Sequence, residues 1–316
     1  MDIVGKRVWY FLFSVIILVP GIISLLIPPR LDLGIEFTGG STISIEFQSA
    51  VPEDQVRAAM HDLGHTEAII QTAGVKSYFI RTGALKPAPS PDAISEQQQV
   101  LDALEKLAPL SSKEVSTVSG VVAKDTVQTG FLAVALASVA ILLYITYAFR
   151  KVPKAYRFGG AAVIALLHDA LLVVGIFSLL GKFMHLEVDA MFIPAILTII
   201  GYSVHDTIVV FDRIRENSIR SPEMPFAQIA NNSVLETVAR SLNTVITVLV
   251  SLLALLLLGG PTLRPFLIAL LIGFCTGAYS SIGVASSILV AWENGDIGRL
   301  FGRKRAAQAT RAEGRA

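Results

Sequence analysis

Between Ala190 and Phe211 the chain is apolar enough and long enough to cross a bilayer as a helix, yet His205 and Asp206 lie inside that run. A carboxylate at mid-membrane depth costs about 2.5–3.5 kcal/mol on insertion scales, so it has to face protein or a wet cavity. Asp206 is therefore the first functional candidate. The rest of the chain is read as its housing.

Of the 316 residues, 53% are hydrophobic and 16% charged, too apolar for a soluble domain of this size. The composition is that of a polytopic α-helical membrane protein. The formal charge of +1 conceals basic residues gathered in short loops and in the tail. Nothing in that charge pattern points to nucleic acid, and none is expected as a partner. Cys275 is the only cysteine and sits in an apolar run. No disulfide framework, metal-ligand spacing, cofactor or redox chemistry is expected.

Lys6 and Arg7 precede an apolar run from Val8 to Ile27, closed by Pro28 and Pro29. This run is longer than the core of a cleavable signal and lacks a small-residue cleavage site, so residues 1–29 read as a cytoplasmic N-terminus and an uncleaved first span. Residues 30–127 are polar and mixed. Strands are expected at Thr42–Phe47, Glu67–Gln71, Lys76–Arg81 and Glu114–Val118, with helices at Glu53–Leu63 and Asp92–Leu107. The order βαββαβ is that of a small ferredoxin-like α+β domain with both helices on one face. Pro87–Pro91 reads as a loop, and His61 and His65 as surface residues. No catalytic carboxylate pair and no nucleophile with a base is found here, so the domain reads as a docking surface.

Five more apolar runs follow within residues 128–292: Gly130–Phe149, Phe158–Leu180, Ala190–Phe211, Ser241–Leu258 and Phe266–Trp292. Arg150, Lys151, Lys154 and Arg157, then Arg213, Arg215 and Arg220, then Arg299, Arg303, Lys304 and Arg305 fall on one side. The positive-inside rule makes that side cytoplasmic, with both termini there and the ferredoxin-like domain outside. Pro225–Leu242 has apolar residues at helical spacing and reads as an amphipathic surface helix, part of a cytoplasmic segment at about 212–240. Residues 293–316 form a basic tail, expected to be disordered after Gly302.

Asp206 lies in the inner half of the fourth span, and Arg240 opens the fifth from the same side. A guanidinium reaching into the bundle would pair with this carboxylate and lower the cost of burying both. The alternative is that Arg240 snorkels to lipid phosphates while Asp206 hydrogen-bonds a neighbouring helix. His168 and Asp169, near the middle of the third span, are the second polar pair, fit either for a structural hydrogen bond or for a proton path. His205 points about 100° away from Asp206 around the helix, as a packing residue would. Asp212 and Arg213 cap the fourth span as an interfacial anchor. Small residues crowd the last span, including Gly273, Gly277, Ser280, Ser281 and Gly283, a face that wants a partner.

Leu33 to Gly40 (LGIEFTGG), with Glu36, Gly39 and Gly40, follows the first span; His168 and Asp169 lie in the third; Gly201 to Asn217, through Asp206, Asp212 and Arg213, lies in and after the fourth; Arg240 precedes Thr244–Thr247. Together these motifs resemble the SecF family of bacterial protein-export membrane proteins, over nearly the whole chain. Glu36 stands where that family's Asp is expected, and His205 where an Asn is common. The resemblance implies a subunit that pairs with SecD into a twelve-span assembly of the resistance-nodulation-division type in the bacterial inner membrane. It implies SecYEG with SecA and the translocating preprotein as further partners, membrane lipids around it, and protons as the coupling ion. By the same resemblance, Asp206 is the proton-path carboxylate and Arg240 its basic partner. Three alternatives stand beside it: a small-molecule exporter, an intramembrane aspartyl protease using Asp169 and Asp206 but lacking that class's Gly-x-Gly-Asp, and a passive scaffold.

Overall fold

A computed structural model describes residues 2–72, 74–88, 94–150, 154–260 and 263–296. Part of the proline-rich loop at 87–91 and the whole tail after Gly302 lie outside the described residues. The chain divides into two compact units, Leu33–Phe131 and the remainder.

The smaller unit contains β1 (Gly40–Phe47), β2 (Ile69–Thr72), β3 (Ser77–Thr82) and β4 (Leu110–Val118) in the antiparallel order β2-β3-β1-β4. Counting helices along the whole chain, α2 (Ile35–Thr38) precedes the sheet, while α3 (Glu53–Asp62) and α4 (Glu96–Glu105) cover one face of it. This is the ferredoxin-like arrangement. Alternation along β1 sends Ile43, Ile45 and Phe47 inward, where they meet Val56 and Met60 of α3 and Val100 and Leu104 of α4. Ser95 caps α4 by accepting the Gln98 N–H at 3.2 Å.

Gly39 and Gly40 make the turn from α2 into β1 at φ +73° and +128°. A Cβ on Gly40 would lie 2.7 Å from the Thr82 carbonyl oxygen and one on Gly39 3.1 Å from Gly120 Cα, so both backbone angle and space call for glycine. Glu36 is half-buried in α2.

His61 is exposed, but His65 is not the surface residue its polarity suggests. The chain folds back after α3 so that the His65 N–H reaches the Met60 carbonyl, and Nδ1 then lies 3.1 Å from Thr82 Oγ1 under the start of the next segment. Beside it, Glu67 is held below the ordinary carboxylate range by its own backbone N–H, the Gly83 N–H and the Thr82 hydroxyl.

The larger unit is a bundle. Among the described residues, six helices are long and apolar enough to cross a membrane. They are α1 (Arg7–Leu26), α5 (Gly120–Ala148), α6 (Ala155–Met184), α7 (Phe192–Arg220), α8 (Phe226–Leu258) and a last span made of α9 (Arg264–Tyr279), a π-wound turn (Ser280–Ala285) and α10 (Ser286–Glu293). Helix α5 starts at Gly120 rather than Gly130, carrying Lys124 and Asp125 as helical turns before the apolar run.

The expected surface helix before the fifth span is absent as a separate element, because α8 is continuous from Phe226. Its buried stripe explains why. Ala230, Val234 and Thr237 continue in helical register into Ser241 and Val245, so one face packs along the whole length. That stripe is held to the end of α7 by Asn217 Nδ2 to Ser233 Oγ at 3.0 Å and by an Arg213–Glu236 ion pair.

The small residues of the last span already have partners inside the chain. Gly273 packs under Ile199, a Cβ on Gly277 would lie 3.2 Å from Ser203 Cβ, and one on Gly283 2.8 Å from Tyr10 Cδ1. Two facing glycines let α1 and α6 cross closely: a Cβ on Gly21 would lie 2.9 Å from Gly175 Cα. At one end of the bundle the Ile3 N–H binds Asn231 Oδ1 at 2.7 Å, Arg7 pairs with Asp296 at 2.9 Å and Lys154 with Glu293 at 3.0 Å. Arg7 and Lys154 thus gather at the end where the last span finishes. At the other end Lys182 Nζ donates to the Ser24 and Ile27 carbonyls at 2.7 and 2.8 Å, closing the C-terminus of α1.

Candidate functional site

The packing that buries the last span brings two carboxylates into the bundle, each held by hydroxyls from other helices. Asp206 on α7 is 6% exposed. Its Oδ1 accepts from Ser241 Oγ of α8 at 2.5 Å and its Oδ2 from Ser281 Oγ of the π-wound turn.

Arg240 makes no ion pair with Asp206. It is exposed, because successive residues of α8 point about 100° apart and Ser241 is the one turned toward α7. Within this chain Asp206 is therefore a buried carboxylate hydrogen-bonded to neighbouring helices, with Arg240 on an outer face. His205 is exposed too, rather than packed, and Gly201, one turn earlier, has open space where a Cβ would stand. Asp212 lies further along, exposed and 3.4 Å from Arg215, while Arg213 binds Glu216 at 2.6 Å and Glu236 across the α7–α8 hairpin.

Asp169 on α6 is 1% exposed and more fully enclosed. Its Oδ1 lies 3.0 Å from His168 Nδ1, and its Oδ2 accepts from Ser203 Oγ of α7 at 2.5 Å and Ser280 Oγ of the π-wound turn at 2.6 Å. From His168 the network continues into α1. Nε2 lies 2.9 Å from Ser14 Oγ, which lies 3.1 Å from the Tyr279 hydroxyl, and that hydroxyl donates to the Tyr10 carbonyl at 2.5 Å. Every contact is met at once with one hydrogen between Nδ1 and Asp169, Nε2–H on Ser14 and the Ser14 hydrogen on Tyr279.

The two sites share elements. Ser203 and Asp206 are one turn apart on α7, and Ser280 and Ser281 are consecutive on the π-wound turn. Sequence reasoning singled out both carboxylates but missed the hydroxyls that hold them. Ser203 was the legible one, three residues before Asp206 on the same helical face. Ser14, Ser241 and Tyr279 come from distant spans, and nothing local marks them.

Beyond Arg240, α8 carries Asn243, Thr244, Thr247 and Ser251 on exposed faces of a span. Thr244, Thr247 and Ser251 each donate to the carbonyl four residues back, at 3.0, 2.8 and 3.1 Å, which satisfies their hydroxyls without a partner. Asn243 and Arg240 have no such local partner in their own helix.

Residues 99–295 match the family described as Protein export membrane protein SecD/SecF, C-terminal, and residues 29–51 match the SecD/SecF GG motif. The chain is 44% identical over 309 residues to Protein translocase subunit SecF of Thermobaculum terrenum, covering 96% of this chain and 97% of that protein. It is 38% identical over 299 residues to Protein translocase subunit SecDF of Bacillus subtilis, covering 94% of this chain but 38% of that longer protein. The crystal structure of SecDF from Thermus thermophilus aligns with a TM-score of 0.76 at 30% identity, over 93% of this chain and 39% of that one.

Proposed function

Because the chain belongs to the SecD/SecF family of protein-export membrane proteins, we propose that it is a SecF-type translocation subunit whose Asp206 takes up and releases the protons that drive late steps of export. The observation that carries this reading is the setting of Asp206. It is buried in a spanning helix, has no cation among the described residues, and is held by two hydroxyls. An ionised carboxylate accepts from both serines, and a protonated one can donate to one of them, so the site can host either state. One charge moved across the membrane potential is worth about 2.3 kcal/mol per 100 mV, enough to bias a two-state bundle.

The second chain implied by the longer SecDF relatives would be a SecD-type partner, with SecYEG, SecA and the preprotein as the wider machinery. The polar face of α8 is where such a partner supports the reading best. Arg240 and Asn243 lie there on a membrane span, and polar groups in lipid need protein or water against them. Arg240 then serves the partner's surface or a water-filled gap beside it rather than Asp206 directly. The end of the bundle that gathers Arg7, Lys154, Arg157 and Arg213 faces the cytoplasm, and the ferredoxin-like domain acts outside.

The test is export of a secreted reporter in cells whose only SecF is this chain with Asp206→Asn, with co-purification of the SecD-type partner as assembly control. Export falling at least about tenfold with the complex intact supports proton use at Asp206. Normal export with the complex intact sinks it and leaves a scaffold.

A further inference from the structure

In the π-wound turn Ser280–Ala285 both buried carboxylates are held by adjacent residues, Ser280 on Asp169 and Ser281 on Asp206. A serine has a single hydrogen to donate, and each of these two has a second acceptor in reach. Ser280 Oγ lies 3.2 Å from the Gly277 carbonyl, and Ser281 Oγ lies 3.2 Å from the Ala278 carbonyl. While Asp206 is ionised, the Ser281 hydrogen belongs on the carboxylate. Once Asp206 carries a proton on Oδ2, that O–H donates to Ser281 Oγ and the serine hydrogen turns to the Ala278 carbonyl. The same exchange is available to Ser280 between Asp169 and Gly277.

Those carbonyls stand at the head of the turn, and the Gly277 oxygen already accepts the Ser280 N–H. A hydroxyl bonded back onto such a carbonyl competes with its backbone bond and alters local winding. The winding in turn fixes where the neighbouring serine points. We infer that Ser280 and Ser281 are positioning residues that couple the charge states of Asp169 and Asp206, so that a proton at one site changes the proton affinity of the other. This deepens the proton-site reading of Asp206 and rests on it. Among the described residues, the other titratable or charged groups around the pair are His168 and, through Ser14, Tyr279 beside Asp169; Tyr10 of α1, packed on Gly283 of the turn; Tyr202 one turn before Asp206 on α7; His205 and Arg240 on exposed faces; and Cys275 on α9.

The full chain, reconstituted with its SecD-type partner in lipid vesicles, is stepped through pH while infrared difference spectra follow the carboxyl band that vanishes in Asp169→Asn. Neutralising Asp206 with Asp206→Asn is expected to move the Asp169 midpoint by about one pH unit or more. The move should persist with Ser241→Ala, which removes a comparable hydrogen bond to Asp206 from outside the turn. It should vanish in either Ser280→Ala or Ser281→Ala. A move that survives Ser281→Ala shows the carboxylates sensing each other through space and overturns the inference, as does the absence of any move in the wild-type background. The readout is independent of export, so normal export in Asp206→Asn would remove the proton-use reading while leaving this coupling scored on its own.

Discussion

Asp169 and Asp206 are both buried carboxylates in neighbouring spans, and each accepts a serine of the π-wound turn, yet their surroundings differ. Asp169 has its counter-group in the chain: His168 lies at 3.0 Å, and the network runs on to Ser14, Tyr279 and the backbone of α1. Asp206 has two hydroxyls and, on the same helix, an exposed face carrying His205 and Gly201. One carboxylate has an ionisable neighbour inside this polypeptide; the other is held by hydroxyls alone and lies beside an exposed face of its helix, the face that the proposed function gives to a second chain or water. Burial alone does not separate a structural acid from a working one. In the proposed reading, what separates them is whether an ionisable group of the same chain stands beside the carboxylate.

The largest effect that would break this contrast concerns stability. Asp169→Ala strands His168 and Ser203, with only Ser280 free to turn to the Gly277 carbonyl, and is expected to destabilise the bundle by about 3 kcal/mol, the scale for removing one member of a buried pair. Equilibrium unfolding in mixed micelles measures it. Asp206→Ala leaves Ser281 free to fall back on the Ala278 carbonyl, so the expected loss is about 1 kcal/mol, two membrane hydrogen bonds at about 0.6 kcal/mol each. Equal losses at the two positions would erase the distinction. Smaller again is Arg240→Gln, which should change unfolding by less than about 0.5 kcal/mol because the side chain is exposed in the isolated chain. The same substitution should weaken co-purification of a SecD-type partner. A large stability loss with unchanged partner binding would return Arg240 to the interior.

The smallest effect lies outside the bundle and serves as its control. The folded pKa of Glu67 is depressed, so its contribution is present above the unfolded value of about 4.3 and is lost as pH falls through the depressed folded value. Glu67→Gln should therefore weaken the ferredoxin-like unit near neutrality, where the carboxylate's contribution is present, and the difference from wild type should shrink as pH falls below about 4.3. Hydrogen exchange of the β2–β3 amides at pH 3 and pH 7 reads this directly. The unfolding of the bundle should be the same in both proteins.

Much of this architecture was legible along the chain because it rests on local periodicity. The alternation in β1 and the helical spacing in α3 and α4 announce a βαββαβ unit, and runs of apolar residues announce the spans. Segment boundaries were less legible. The continuation of α8 through Arg240 depends on a buried stripe that passes from polar to apolar surroundings without changing register, which composition reads as two elements. His65 was misread for a related reason, since its burial is set by Thr82 and by the fold-back of its own loop onto Met60.

The sequence by itself determined that Asp169 and Asp206 lie at membrane depth, because an unbroken apolar run leaves a carboxylate nowhere else to go. Only the tertiary structure decided what the carboxylates touch. Ser203, Ser241, Ser280 and Ser281 come from three spans, and Arg240 loses Asp206 to its neighbour Ser241 through one step of helical rotation. Which of two adjacent side chains faces the bundle depends on how whole helices pack, and that arrangement is a property of the assembled bundle and of no local stretch of chain.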